Sequence, residues 1–163
     1  MSNFTEPLHV YASTYRDPAI TRGSLIPPGF LRAHWIIGRD LTFYSGDRDN
    51  PARIITVPRG FVFDGASVPP VLSSLVPRSH PAFLPAAALH DWIYSVISAD
   101  VTRREAARLF HDALKVLQTP AAWAWLMWVA VRVFGILPWT LARLGDTSAP
   151  RIVDPDRIGT LPG

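Results

Sequence analysis

Apolar positions follow different patterns in the two halves of the chain. In the first half, β-branched and aromatic residues form short runs bounded by Gly, Asp, Asn or Pro, at 34–37, 41–44, 53–57 and 61–63. Runs of this length and composition are typical of strands with tight connections. We predict a small antiparallel β-meander, in which Gly38-Arg39-Asp40 closes a hairpin between the first two strands.

In the second half, apolar residues recur at spacings of three and four, which predicts helices. The predicted helices span about 68–76, 82–97, 102–117 and 121–136. The third is marked most clearly, because Thr102-Arg-Arg-Glu105 is a capping box in which Thr102 is the N-cap and Glu105 reaches back. Its predicted buried stripe consists of Leu109, Phe110, Ala113, Leu114 and Leu117.

These patterns together predict an α+β fold, with the small antiparallel β-meander of the N-terminal half packed against about four α-helices in the C-terminal half. A length of 163 residues is usual for one domain and sufficient for a core. We expect a single domain over 1–163, made of an irregular N-terminal arm (1–30), a sheet (31–63), a helical part (67–137) and a Pro/Gly-rich tail (138–163). Leu8–Tyr11 is a candidate edge strand in the arm, and the tail is expected to lie over the surface or to be mobile.

Composition and charge narrow the function classes. Apolar residues make up 48% of the chain and charged residues 18%, which fits a globular protein. The net charge is +3, and its arginines are scattered apart from Arg103, Arg104 and Arg108, so nucleic acid is not an expected partner. The absence of cysteine excludes disulfides, thiolate zinc sites and a cysteine nucleophile. The first residues show no basic segment followed by an apolar run, so we expect no signal peptide.

Candidate chemistry lies first in the stretch Phe61-Val-Phe-Asp-Gly-Ala-Ser-Val-Pro-Pro70. Side chains alternate along a strand, so Phe61 and Phe63 should point to one face. The strand should end at Asp64-Gly65, because glycine tolerates the backbone angles of a tight turn. Ser67 then fits the N-cap of the next helix, and the two prolines fit its first turn.

A second polar group lies in the apolar helix Ala86-Ala-Ala-Leu-His-Asp-Trp-Ile-Tyr94. His90 and Tyr94 are four residues apart and should share a helix face. Polar groups in apolar surroundings need partners. We therefore predict that four side chains meet in one cluster: Asp64, Ser67, His90 and Asp91.

Two interpretations of this cluster stay open. As a site, Asp64, Ser67, His90 and Asp91 would be catalytic, and Asp64, His90 and Asp91 could bind a divalent metal as the candidate cofactor. As structure, Asp64 and Ser67 cap the turn and the helix, Asp91 accepts hydrogen bonds from a loop, and His90 donates to a backbone carbonyl. The structural interpretation is favoured. A Ser-His-Asp triad is the least favoured form of the site, because Ser67 lacks the Gly-x-Ser-x-Gly elbow.

The apolar stretch from Ala121 to Leu144 is long enough to span a membrane, but Arg132 and Pro138 interrupt it. A buried helix over 121–136 is therefore favoured, and a membrane role is kept as a less favoured alternative. The three tryptophans of this helix are expected to pack on the sheet, and any exposed one would mark a protein–protein contact.

The two stretches that carry these polar side chains, GFVFDGASVP and AALHDWIY, resemble a bacteriophage and prophage family known as domain of unknown function 1353. The resemblance covers about residues 30–140. The matching positions are Gly60, Phe61, Asp64, Ala66, Ser67, Val68, Pro69, His90, Asp91 and Tyr94. The family pattern often has an acidic residue in the next helix, where this chain has Ala106-Ala107, so one carboxylate of an acidic cluster is missing here.

The resemblance implies a phage origin, and we expect a bacteriophage accessory protein that is virion- or tail-associated and binds other phage structural proteins. Such a protein would reside in the host cytoplasm during assembly and then in the virion. One alternative is a metal-dependent hydrolase of cell-wall material centred on Asp64, His90 and Asp91. Another is a membrane-associated lysis or entry factor that uses residues 121–144. Whether the protein is an enzyme stays open at this point.

Overall fold

The structure is a computed structural model that describes residues 3–5, 7–13, 34–63, 83–95, 100–135 and 152–158. The strands within these residues are β1 (Val10–Ser13), β2 (His34–Ile37), β3 (Leu41–Gly46), β4 (Pro51–Val57) and β5 (Val62–Phe63). The helices are α1 (Leu84–Ser95), α2 (Arg103–Val116), α3 (Ala121–Phe134) and the single turn α4 (Pro155–Ile158). Antiparallel strands precede the three long helices, which confirms the predicted α+β class.

The strands form two sheets rather than one meander. One sheet has the order β1-β2-β5, and β3 pairs with β4 in the other. The predicted hairpin between 34–37 and 41–44 is therefore wrong. Both edges of β2 are occupied, by β1 through the pair Val10↔Ile37 and by β5 through Trp35↔Phe63. Residues 38–40 form an open bend that carries the chain into the second sheet.

Three of the predicted helices match α1, α2 and α3, and the predicted helix at 68–76 lies outside the described residues. The described C-terminal half thus has three long helices rather than about four. The N-cap of α2 is confirmed, because the Thr102 hydroxyl accepts a hydrogen bond from the backbone N–H of Glu105 at 3.2 Å. The Glu105 carboxylate, predicted to reach back to the cap, lies 3.2 Å from Nε of Arg53 in β4.

The core lies between the β3–β4 sheet and the helices α1 and α2. Helix α2 packs on β3 and on both neighbouring helices, and α1 also packs on β4. The predicted stripe of α2 is buried at Leu109, Phe110, Ala113 and Leu114, and Leu117 packs against its edge. Helix α3 packs mainly on α2, and Trp123 packs against the core, whereas Trp125 is exposed rather than packed on the sheet as expected. Because α2 packs between α1 and α3 and also contacts β3, it is the central helix of the C-terminal half.

The described part of the tail, residues 152–158, returns to the start of β5. Ile152 forms a bridge with Phe61, and the backbone N–H of Val153 donates to the carbonyl of Gly60 at 2.9 Å. Nη2 of Arg59 lies 2.6 Å from the carboxylate of Asp156, and this contact raises the pKa of the guanidinium. This part of the tail therefore pairs with the chain just before β5.

Replacing Gly60 by alanine is expected to destabilise the protein by more than replacing Gly46. Both glycines have positive φ, at 85° and 86°, so each alanine would add backbone strain of about 1–3 kcal/mol. A Cβ at 60 would also collide with the carbonyl oxygen of Val153, whereas the nearest atom to a Cβ at 46 is 4.0 Å away. Urea unfolding of the two variants measures the difference. Equal losses would contradict the packing of Val153 on Gly60.

Candidate functional site

His90 lies on the face of α1 that packs against α2. Its ring centroid is 4.1 Å from that of Tyr94, which confirms that these two residues share a helix face. On the other side, the Phe110 ring of α2 meets the imidazole edge to face at 5.3 Å. Only 11% of the His90 side chain is exposed. The imidazole is therefore enclosed by aromatic rings.

Burial decides the charge of this histidine. Its Nδ1 lies 3.4 Å from Oδ1 of Asp91, a carboxylate that is 20% exposed and would favour the protonated ring. Loss of water around the ring has the larger effect and lowers the pKa of His90 to about 4. The imidazole is therefore neutral near pH 7, the form that can accept a proton or bind a metal.

The other ring nitrogen of His90, Nε2, is buried and makes no hydrogen bond within the part of the chain that the structure describes. The predicted donation from His90 to a backbone carbonyl is thus not found among these residues. A buried nitrogen without a partner costs free energy, so such atoms often belong to functional sites. This nitrogen is the strongest structural indication for a site at His90.

Asp64 and Ser67 lie outside the described residues, so their predicted meeting with His90 and Asp91 stays a prediction. The strand that leads to Asp64 does approach α1. Phe61 and Phe63 lie on one face, as predicted, with parallel rings 6.3 Å apart, and Phe61 contacts the Trp92 ring at 5.1 Å. No group of three metal-binding side chains occurs among the described residues.

A second candidate site lies on the opposite side of α2, where its outer face meets α3. It is an open cavity with a volume of about 480 Å³, and we call it the α2–α3 groove. Two tryptophans and three arginines dominate its walls. Its eight lining residues are Thr102, Arg104, Glu105, Arg108, His111, Trp125, Trp128 and Arg132.

The two tryptophans of the groove differ in exposure. Trp125 is 58% exposed, so the prediction that the helix buries its tryptophans is wrong at this position. Trp128 is half-buried, and its ring lies 5.4 Å from the guanidinium of Arg132 and 5.8 Å from the His111 ring. The cation–π contact and the ring contact hold Trp128 in place. Trp123 packs partly buried against the core.

The connection between α2 and α3 fixes how the two walls face each other. Backbone N–H groups of Gln118 and Thr119 donate to the carbonyls of Lys115 and Leu114, which is the Schellman pattern of a helix end. Gln118 occupies the left-handed position of this pattern, with φ of 56°. Farther along, Nη1 of Arg103 donates to the backbone carbonyl of Arg132 at 2.5 Å. The groove is therefore held at both ends.

The comparison with known families bears on both sites. Over residues 37–131 the chain matches the family described as "Protein of unknown function (DUF1353)". The chain belongs to the DUF1353 family. No curated protein and no solved structure matched the chain.

The DUF1353 segment contains His90 and Asp91, and it contains every lining residue of the groove except Arg132. Where the family pattern has its acidic residue, Ala106 and Ala107 of α2 are fully buried. Helix α2 thus supplies no carboxylate at that position. None of the described helices of this DUF1353 chain is long and apolar enough to cross a membrane.

The sequence patterns did not predict the groove of this DUF1353 protein. Arg104 and Arg108 belong to the only close run of arginines in the sequence, but a short run alone does not predict a binding surface. Spacing did carry a signal, because Arg104, Arg108 and His111 share one face of α2, and Trp125, Trp128 and Arg132 share one face of α3. Partial burial and the charge of Lys115 lower the pKa of His111, whereas Asp112 opposes the change.

Proposed function

We propose that this DUF1353 protein is a bacteriophage accessory protein, virion- or tail-associated, that binds another phage structural protein through the α2–α3 groove. The observation that carries the proposal is the exposed Trp125 beside the half-buried Trp128 in a concave surface. Tryptophan and arginine are enriched at the centres of protein interfaces. The phage association comes from the family resemblance of the stretches GFVFDGASVP and AALHDWIY.

The rigidity of the groove supports a binding role. Helix α2 is capped at Thr102 and ends in the Schellman turn, and Arg103 ties it to the end of α3. A surface that is ordered before binding loses less conformational entropy in the complex. The backbone of the two helices that form the groove is therefore positioned before a partner arrives.

The test is incorporation into particles of a phage or prophage that encodes the protein. The wild-type chain should co-purify with particles, and Trp125→Glu should reduce its amount by about tenfold or more, because a charge replaces the proposed central anchor. Ile54→Glu is the matched control, since Ile54 of β4 is 57% exposed and lies outside the groove. Particles without the wild-type protein, or an undiminished amount of Trp125→Glu, would contradict the proposal.

A second candidate function is a metal-dependent hydrolase of cell-wall material. The buried Nε2 of His90, on a ring whose Nδ1 lies beside Asp91, favours it. Asp64 would complete the ligands, and Ser67 would line the site. Elemental analysis of purified protein tests this candidate, with one bound divalent metal expected in the wild type. The His90→Gln variant should lose that metal and remain folded by circular dichroism. If wild-type protein that is prepared without chelator, and supplied with metal, still contains no bound metal, this candidate is excluded.

A further inference from the structure

We infer that the α2–α3 groove binds a short acidic segment of a partner protein, a segment that also carries an apolar or aromatic anchor residue. The inference rests on the proposed function, because it specifies the chemistry of the partner at the same surface.

The groove is positively charged, and two of its arginines are available to pair with a ligand. Arg104, Arg108 and Arg132 line it, and the single carboxylate among its lining residues belongs to Glu105. That carboxylate is already neutralised by Arg53 at 3.2 Å. Arg104 and Arg108 form no ion pair with any described residue. Their guanidinium groups present planar sets of donors that match the geometry of carboxylates.

The apolar part of the groove fits an anchor side chain. The contacts of Trp128 with Arg132 and His111 fix one wall, and Trp125 stands exposed one turn earlier on the same helix. The groove therefore has an aromatic wall on α3 that faces a positively charged wall on α2. An occupant needs a flat or apolar side chain for the first wall and carboxylates for the second.

The length of the groove limits its occupant. Thr102 and His111, at the two ends of its α2 wall, are nine residues apart in sequence, which corresponds to about 14 Å along a helix. Each residue of an extended segment spans about 3.3 Å, so about four residues fill the groove. Beyond His111, the carboxylate of Asp112 lies 4.0 Å from the ammonium of Lys115, so the next positive charge along α2 is already paired. A nucleic-acid strand needs a long positively charged groove that follows its backbone. A four-residue acidic motif needs only a short one.

The direct test uses synthetic probes and fluorescence anisotropy. The probe is a fluorescein-labelled hexapeptide, Asp-Asp-Leu-Phe-Asp-Asp. We expect saturable binding that weakens by about tenfold or more when the four aspartates become asparagines, and similarly when Leu-Phe becomes Ala-Ala. A labelled hexathymidylate should bind more weakly than the acidic peptide. Absence of peptide binding, or tighter binding of the oligonucleotide, would overturn the inference.

Variants locate the binding in the groove. The pair Arg104→Glu and Arg108→Glu, combined in one chain, should weaken peptide binding by about tenfold or more. Arg39→Glu and Arg48→Glu, combined in one chain, reverse two charges in the loops after β2 and β3, and this variant should bind the peptide as the wild type does. Equal melting temperatures establish that both variants are folded, and Trp125→Ala gives an uncharged second variant that should also bind more weakly. Equal binding by all variants would overturn the assignment to the groove.

The outcomes for the inference and for the proposed function are separable. If Trp125→Glu is lost from particles but no acidic peptide binds, the partner chemistry is wrong and the virion role stands. If the peptide binds through the arginines but the wild-type protein is absent from particles, the groove chemistry stands and the virion role is wrong.

Discussion

Acidification from pH 7 to pH 4 is expected to lower the free energy of unfolding by about 3 kcal/mol more in the wild-type protein than in His90→Phe. Burial lowers the pKa of His90 from 6.5 to about 4 in the folded protein, whereas the unfolded chain retains a value near 6.5. Between these values the unfolded state binds more protons, so the contribution of His90 is complete above pH 6.5 and is lost as the pH falls toward 4. Phenylalanine keeps a ring between Tyr94 and Phe110 and does not titrate.

Urea unfolding followed by tryptophan fluorescence at several pH values measures this difference. Other titrating groups contribute to both proteins and cancel in the comparison. His111→Phe is the control, because partial burial lowers the pKa of that ring less, and its pH-dependent difference should be smaller. Parallel curves for wild type and His90→Phe would mean that the pKa of His90 is the same in the folded and the unfolded protein, so that Asp91 offsets the loss of water around the ring.

Truncation of Phe110 to alanine is expected to destabilise the protein by about 3–5 kcal/mol. Phe110 is buried in the stripe of α2 and packs against the His90 ring, so its removal opens a cavity between α1 and α2. Trp125→Ala removes a larger side chain but should change stability by about 0.5 kcal/mol or less, because the indole is exposed.

Chemical denaturation of the two variants under one condition provides the measurement. Because the Trp125 substitution removes a fluorophore, circular dichroism should follow both transitions. A large loss for Trp125→Ala would show that the indole is part of the core, and it would remove the main support for a binding surface. A small loss for Phe110→Ala would contradict the packing of α1 on α2.

Local patterns predicted the helices of the C-terminal half well. Thr102 and the stripe from Leu109 to Leu114 determine where α2 starts and which face it buries, and both signals lie within one helix. The shared face of His90 and Tyr94 followed from their spacing in the same way. The aromatic neighbour from α2, Phe110, could not be predicted, since its position depends on how two helices pack.

Features that depend on distant pairing were not predictable from the chain. The partners of β2 are β1, which lies more than twenty residues earlier, and β5, which lies more than twenty residues later, and neither distance leaves a local signal. The groove likewise depends on the turn after α2, where Gln118 takes a left-handed conformation that glycine usually marks. Because position 118 is not a glycine, the sequence does not indicate this turn. It therefore shows which residues share a face on each helix, but not that the two faces meet.

The position of Lys115 has a practical consequence for finding the partner. This side chain is the only lysine of the 163 residues, it is 61% exposed, and it lies one helical turn beyond His111 at the end of the groove. An amine-reactive photo-crosslinker would therefore attach to a single lysine side chain, within reach of anything bound between α2 and α3. Peptides recovered in covalent linkage to Lys115 would carry the sequence of the natural occupant.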